Sequence, residues 1–386
     1  MPSARLYADY NATVPILPEA LEAMRAAYDV VGNASSVHTE GRAAKRVLEN
    51  ARESLAQVLE CGVQQLTLVS GATEGLHLAL ESANALGFGP AFVFAGEHDA
   101  AWAKAPLLFP EMHVIPANRD LLPDLEWLDG ALEKVGARAL VVMQAVNNET
   151  GTVLPLAALS NMVRTRGGAI VCDATQAFGK RSVATFAGLA DWTILSSHKI
   201  GGPFGVGAIV TASGVSLVNH RPGGGQEGGA RAGTHNTPAI AGFAAAARRV
   251  AHDDACAAYE ARLARERDAF ESAIAAQMAL VAIAKGAPRV ANTSCVAMPG
   301  WAAEQQVIAL DLAGAAVSAG AACSSGKVKT SRALLAAGWD EGVAGSAIRA
   351  SFGWATQSGD GARLAEFYLQ AARRAGKINA SGEVHV

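Results

Sequence analysis

Charge is scarce in this chain: Asp, Glu, Lys and Arg supply only 17% of 386 residues, and the formal net charge is -3. No basic stripe is left to follow a phosphate backbone, so nucleic acid is not expected as a direct partner. Long apolar runs are lacking too. With no stretch of eighteen apolar residues, and with charged and polar positions in Met1–Tyr10 where a secretory leader needs an apolar core, neither a membrane span nor a signal peptide is expected. The expectation is a soluble cytoplasmic protein. Cysteine is sparse and unpatterned. Cys61, Cys172, Cys256, Cys295 and Cys323 make an odd number with no C-x-x-C or C-x-x-H spacing, which argues against a disulfide framework and against a structural zinc site. In a reducing compartment such thiols stay available for chemistry, and the question is whether one of them is a nucleophile.

What the chain does have is core-forming material. Hydrophobic residues reach 51%, enough for sizeable cores, and at about 150 residues per domain the length suggests two or three domains, with two the starting expectation. Leu17, Leu21, Met24 and Tyr28 recur at helical spacing, as do Ala44, Val47, Ala51, Leu55 and Val58. Short apolar runs follow at Leu66–Val69, Ala91–Phe94, Leu140–Val146, Ala169–Cys172, Trp192–Leu195 and Val206–Val210, alternating with helical patterns. Nearly continuous apolar strands interleaved with helices predict a mostly parallel sheet covered on both faces. From about Thr237 the pattern changes to long Ala-rich helices, Pro238–His252 and Ala255–Gln277, then short segments Thr293–Met298 and Ala315–Ala319 and a last helix near Ala362–Ala375. This predicts a smaller α+β domain. The Gly-rich stretch Gly223–Gly233 is too long for a simple turn, and it lacks the Gly-Lys-Ser/Thr ending of a nucleotide-binding P-loop.

Ligands of open α/β sheets bind beyond the carboxyl ends of the strands, so the residues just after each strand are the candidates. Leu66–Val69 runs into Ser70-Gly71-Ala72-Thr73-Glu74-Gly75 and a helix, an arrangement whose backbone N–H groups suit a phosphate, although many such turns are only tight connections. Ala169–Cys172 ends in Asp173-Ala174-Thr175-Gln176; the carboxylate is placed either to accept from a protonated ring nitrogen or to cap local backbone. Trp192–Leu195 ends in Ser196-Ser197-His198-Lys199, followed by glycines. A lone lysine is usually solvated, but one in this position, with hydroxyl and imidazole neighbours, suits a Schiff base. Phosphate donors, a pyridinium partner and an amine together describe a pyridoxal phosphate site.

These segments carry a resemblance. Tyr7-Ala8-Asp9-Tyr10-Asn11-Ala12-Thr13, Ser70–Glu74, Asn147-Asn148-Glu149-Thr150-Gly151, Asp173–Gln176 and Ser197-His198-Lys199 resemble the signatures of the NifS/IscS-like cysteine desulfurases, a branch of the class V aminotransferases. The likeness runs from about residue 5 to about residue 355. A further motif, Ser318-Ala319-Gly320-Ala321-Ala322-Cys323-Ser324-Ser325-Gly326, is similar to the loop that sets desulfurases apart from other class V enzymes. By itself a cysteine among alanines is more often a small core residue.

The resemblance implies a type I pyridoxal-phosphate-transferase fold: a large domain, residues 15–250, with a mostly parallel seven-stranded sheet flanked by helices, and a smaller α+β domain from residues 1–14 and 251–386 that carries the Cys323 loop. It implies that Lys199 holds the cofactor and moves protons, Asp173 keeps the pyridine nitrogen protonated, Gln176 bonds the phenolic oxygen, and His98 stacks on the ring and assists proton transfer. Ala72, Thr73, Ser196 and His198 would hold the phosphate, with Thr234 supplied by the partner subunit of a homodimer. Arg349 would pair with the carboxylate of L-cysteine, with Asn148 and Asn11 lining the same pocket. Cys323 would take the sulfur as a persulfide and pass it to an acceptor such as an iron–sulfur scaffold protein, and nearby Lys327, Lys329 or Arg332 would favour its thiolate if they face it.

Three positions depart from the family's pattern: Ala34 replaces a usual proline, Phe204 a frequent lysine and Ala230 a common arginine. None is a residue given a catalytic role. The alternatives are a selenocysteine lyase, a class V aminotransferase, or an inactive family member serving as an interaction platform.

Overall fold

The computed structural model describes residues 5–136, 138–219, 221–251, 253–320 and 330–378. In chain order the strands are β1 (Leu6–Tyr7), β2 (Leu66–Val69), β3 (Ala91–Phe94), β4 (Met112–Ile115), β5 (Leu140–Gln144), β6 (Ala169–Asp173), β7 (Trp192–Ser196), β8 (Gly207–Thr211), β9 (Val281–Ala282), β10 (Thr293–Ala297), β11 (Ala315–Ala316), β12 (Ser318–Ala319) and β13 (Ala347–Ser351). Seven of them form the large sheet in the order β2-β8-β7-β6-β5-β3-β4. From β4 to β7 all pairs are parallel, while β8 runs antiparallel to both β7 and β2.

The alternation of side chains along a strand divides the apolar residues between two cores. Phe92, Phe94, Val141, Met143, Ile170, Cys172 and Leu195 pack on one face, against the helices Thr39–Val58, Leu125–Val135, Leu156–Thr165 and Thr237–Val250. Val93, Val142, Val171, Trp192, Ile194 and Ile209 pack on the other, against Ala72–Ala85 and Asp99–Leu108. Burial on both faces explains why these strands read as unbroken apolar runs. Helix Ala72–Ala85 lies hard on the sheet at Gly75, where a β-carbon would come within 3.2 Å of Ile194 and 3.3 Å of Ile209.

A third core gathers Leu263, Phe270, Trp301, Ile348, Leu364 and Tyr368. It lies between the antiparallel sheet β12-β13-β10-β9 and the helices Asp253–Ala275, Ala303–Ala313 and Asp360–Arg374. The N-terminus joins this part: β1 pairs in parallel with β11, and Leu6 and Ala8 are buried in the same core.

Strand β4 was absent from the expected set. It is an edge strand with His113 half-buried and Val114 44% exposed, so it carries no continuous apolar signal. The segment Ala315–Ala319 is two strands with different partners, β11 on β1 and β12 on β13, on either side of Val317. Among the described residues no helix is long and apolar enough to cross a membrane.

Candidate active site

Beyond the carboxyl ends of the parallel strands lies a cavity of about 730 Å³. Its wall includes Asn11, Ala72, Thr73, His98, Asn148, Asp173, Gln176, Ser196, His198, Lys199 and Arg349. Residues far apart in sequence meet there because each follows a strand of one sheet or, for Asn11 and Arg349, belongs to the segments that pack across its end.

Lys199 ends the short 3-10 turn Ser197–Lys199 that follows β7. Its Nζ donates to the main-chain oxygens of Asn11 (2.8 Å) and Ala12 (2.9 Å), which ties the lysine to the N-terminal segment. Asp173 closes β6, and its Oδ1 accepts from the amide of Thr175 at 2.8 Å. Gln176 donates from Nε2 to the Asn11 oxygen at 3.0 Å. His98 caps the helix Asp99–Leu108, its Nδ1 accepting from the Ala100 amide at 3.1 Å, so the neutral ring carries its proton on Nε2. His198 touches the Thr13 hydroxyl through Nδ1 at 3.2 Å and lies tilted against Phe204, ring centres 5.3 Å apart. Burial and then the Lys199 charge push its pKa down to about 4, so at neutral pH the imidazole is uncharged.

The helix Ala72–Ala85 opens onto the cavity with no side-chain cap: Gly71 stands at its N-cap, with Ala72 and Thr73 in its first turn. Its first amides are therefore open to an anion. A β-carbon on Gly71 would meet nothing within 4 Å, so the approach is clear. Thr175 Oγ1, buried in the same wall, has no hydrogen-bond partner among the described residues. An uncapped helix start beside Thr73, Ser196 and His198, a carboxylate on β6 and an amine on β7 are a donor set that fits pyridoxal phosphate.

Arg349 projects from β13 with its side chain only 5% exposed. Nη2 pairs with Asp9 at 2.9 Å and Nη1 donates to the Asn148 oxygen at 3.0 Å, while Nε has no partner among the described residues. Thr234 lies elsewhere, exposed in the loop before the helix Thr237–Val250 and outside this cavity of its own chain. Cys323, with Lys327 and Lys329, lies outside the described residues. Arg332, among the described residues, donates to the main-chain oxygens of Ala95 (3.3 Å) and Glu97 (2.8 Å) and stacks over Trp102.

Several residues of the site were missed in the sequence. Lys180 donates to Asn11 Oδ1 at 2.7 Å and to Gln176 Oε1. Glu97 is fully buried behind His98; burial first, and then the Asp173 charge, raise its pKa to about 8. Glu74 accepts from the Ser70 amide at 2.5 Å and from Arg231 Nε at 3.0 Å, binding the Gly-rich stretch to the helix start. The spacing of Lys180 four residues after Gln176 was a visible signal. Glu74 stood inside the Ser70–Glu74 motif without a task, and Glu97 carries no pattern that distinguishes it from a surface acid.

Fold and cavity together define a class: a type I pyridoxal-phosphate-dependent fold. The family described as Aminotransferase class-V matches residues 6–364. The chain is 36% identical over 372 residues to a cysteine desulfurase of Cereibacter sphaeroides, covering 94% of each chain. It is 31% identical over 376 residues to an IscS-like cysteine desulfurase of Mycobacterium tuberculosis, covering 92% of this chain and 93% of the relative. It also superposes on the NifS-like protein of Rickettsia africae with a TM-score of 0.85 at 27% identity, over 97% of this chain and all of that one. The chain belongs to the class V aminotransferase family and, within it, to the NifS/IscS-like cysteine desulfurases.

Proposed function

We propose that this protein is a pyridoxal-phosphate-dependent cysteine desulfurase that converts L-cysteine to L-alanine, holds the sulfur as a persulfide on Cys323 and passes it to an acceptor protein, with iron–sulfur cluster assembly as the purpose. The observation that carries the reading is the convergence of Lys199, Asp173, His98 and Arg349 on one cavity with an uncapped helix start. Pyridoxal phosphate, when bound, supplies an electron sink that acidifies the substrate's α-proton and weakens its carbon–sulfur bond.

The chain's own residues do the rest. Lys199 anchors the cofactor and, once freed by substrate, moves the α-proton through Nζ. Asp173 would accept from the ring nitrogen, Gln176 would donate to the phenolic oxygen, and His98 would cover the ring and assist proton transfer through Nε2. Amides at Ala72 and Thr73, with Ser196 and His198, receive the phosphate, and Thr234 reaches it from the other subunit of a homodimer. Arg349 takes the substrate carboxylate on its Nε edge, beside Asn148 and Asn11. The Cys323 thiolate attacks the substrate sulfur. An S–S bond forms as the carbon–sulfur bond breaks, and the released electron pair passes to the carbon skeleton, which gains a proton and leaves as alanine. We place this work in the cytoplasm, where free thiols persist.

The test is alanine released from L-cysteine by purified protein with a reductant present, for wild type and Cys323→Ser. Release by the wild type and none by a mutant that keeps its yellow cofactor supports both the activity and the nucleophile. Equal release by both removes Cys323 from the mechanism and favours a lyase; release by neither removes the activity.

A further inference from the structure

We propose that Lys180 is a positioning residue for the cofactor site, fixing the side-chain amide of Gln176 so that the cavity is offered a hydrogen-bond donor. The proposal rests on the reading of the cavity as a pyridoxal phosphate site, and goes beyond it by giving a task to a lysine that has none there.

The geometry is a closed set of contacts around Asn11. The Nζ of Lys180 donates to the side-chain oxygen of Asn11 at 2.7 Å and to Oε1 of Gln176. The main-chain oxygen of the same Asn11 accepts from Gln176 Nε2 at 3.0 Å and from Lys199 Nζ at 2.8 Å. An amide left to itself presents either oxygen or nitrogen with little preference, since the two ends have the same shape. Here the choice is made. An ammonium has only donors, so the end of Gln176 that meets Lys180 must be the oxygen, and the NH₂ end is turned to Asn11 and the cavity. One of its two hydrogens is taken by Asn11, which leaves the other for a ligand oxygen.

Asn11 is held from further sides, so the whole set is stiff. Its Nδ2 donates to Thr293 Oγ1 at 3.0 Å, and its Oδ1 also accepts from Asn292 at 3.2 Å. Lys180 thus links the turn after β6 to the N-terminal segment and, through Asn292, to the last part of the chain. It also lines a second, smaller cavity of about 310 Å³ on the far side of Lys199. Burial, then the charges of Lys199 and Arg349, lower its pKa well below the ordinary lysine value. A neutral amine keeps two N–H donors, one for each of these contacts, and the Asn11 main-chain oxygen, which can only accept, holds the Gln176 NH₂ end in either protonation state.

The test uses holoenzyme of Lys180→Met, Gln176→Ala and the double variant, with the pH titration of the bound cofactor's absorbance as the principal readout and cofactor affinity as the second. One hydrogen bond to the phenolic oxygen corresponds to a shift of about 0.5–1 pH unit and a change in affinity of about two- to tenfold. Lys180→Met is expected to shift the titration in the same direction as Gln176→Ala, and to add nothing when Gln176 is already alanine. Lys180→Gln, which keeps a donor but no charge, is expected to lie between wild type and Lys180→Met, and it replaces the methionine variant if that one does not fold.

A Lys180→Met titration that superposes on the wild type overturns the proposal, as do effects that add fully in the double variant. A wild type that binds no pyridoxal phosphate sinks both this proposal and the reading beneath it. A wild type that binds it, shows the coupled shifts and releases no alanine leaves Lys180 in place and removes only the desulfurase activity.

Discussion

The hydroxyl of Ser331 donates to Oε2 of Glu149 at 2.5 Å, and Gly320 passes the same oxygen so closely that a β-carbon there would come within 3.1 Å of it. Gly320 and Ser331 stand on either side of the stretch that includes Cys323, and Glu149 belongs to the Asn147–Gly151 motif of the large sheet's end. One buried carboxyl therefore meets both flanks. Ser331 also caps the helix Arg332–Ala336 by accepting from Leu334 at 3.1 Å. Glu149→Ala strands the Ser331 hydroxyl, and a loss of about 1–3 kcal/mol in urea unfolding is expected. Glu149→Gln keeps an acceptor and should lose less.

The same carboxyl makes stability depend on pH. Burial raises its pKa to about 7 against the partial relief of Ser331, Arg349 and Arg332. The folded state thus favours the protonated form, so this contribution is complete below the ordinary carboxyl value of about 4.3 and is lost as pH rises through about 7. Comparing urea midpoints at about pH 5 and about pH 8, the drop should be smaller in Glu149→Gln than in wild type. An equal drop in both would place the pH dependence elsewhere.

Much of this site was legible from strand ends. Asp173, Ser196 and Lys199 could be placed because β6 and β7 are unbroken apolar runs whose last residue marks the site directly. Glu149 was seen only as part of a motif, with no task, because its partner Ser331 is distant in sequence and a single hydrogen bond leaves no periodic trace. Lys180 gave one visible signal, its spacing four residues after Gln176, but its other partner, Asn11, is distant in sequence. Strand β4 escaped because half of an edge strand faces water, and β11 and β12 were read as the single segment Ala315–Ala319 because two-residue strands have no period that separates them.

Arg349 offers a test of substrate recognition apart from cofactor binding. Its guanidinium already spends Nη2 on Asp9 and Nη1 on Asn148, while its buried Nε has no partner among the described residues. A lysine at this position retains a positive charge near Asp9 but lacks the second arm of the fork. Arg349→Lys should lower kcat/KM for L-cysteine by about 10- to 100-fold, mostly through KM, with the cofactor spectrum unchanged. An unchanged KM would place the carboxylate elsewhere in the cavity.

The Gly-rich stretch Gly223–Gly233 is pinned at its middle by Glu227, a non-glycine residue at φ 51° whose side chain is 1% exposed. Arg52 donates to it through Nη1 at 2.9 Å and Nη2 at 2.5 Å, Leu68 donates its amide at 2.8 Å, and His235 Nε2 lies 2.5 Å away. Burial alone would raise the Glu227 pKa, but the hydrogen bonds of His235 and Arg52, the Arg52 charge and the Leu68 amide bring it down to about 2. A depressed carboxyl contributes stability that is complete above its ordinary value of about 4.3 and is lost as pH falls toward 2. Glu227→Gln should therefore remove part of the acid sensitivity of unfolding below about pH 4 while lowering stability at neutral pH. Glu227→Ala leaves the Arg52 guanidinium, 10% exposed, with only Glu49 at 3.5 Å and the Leu66 carbonyl at 3.1 Å, and a loss of about 1–3 kcal/mol is expected in urea unfolding at pH 7. Because the same stretch runs on through Arg231, which pairs with Glu74 beside the uncapped helix start, weaker retention of pyridoxal phosphate should accompany that loss. Unfolding curves of Glu227→Ala that match the wild type at neutral pH would show that the arginine finds water or another acceptor, and that the stretch is held by its ends alone.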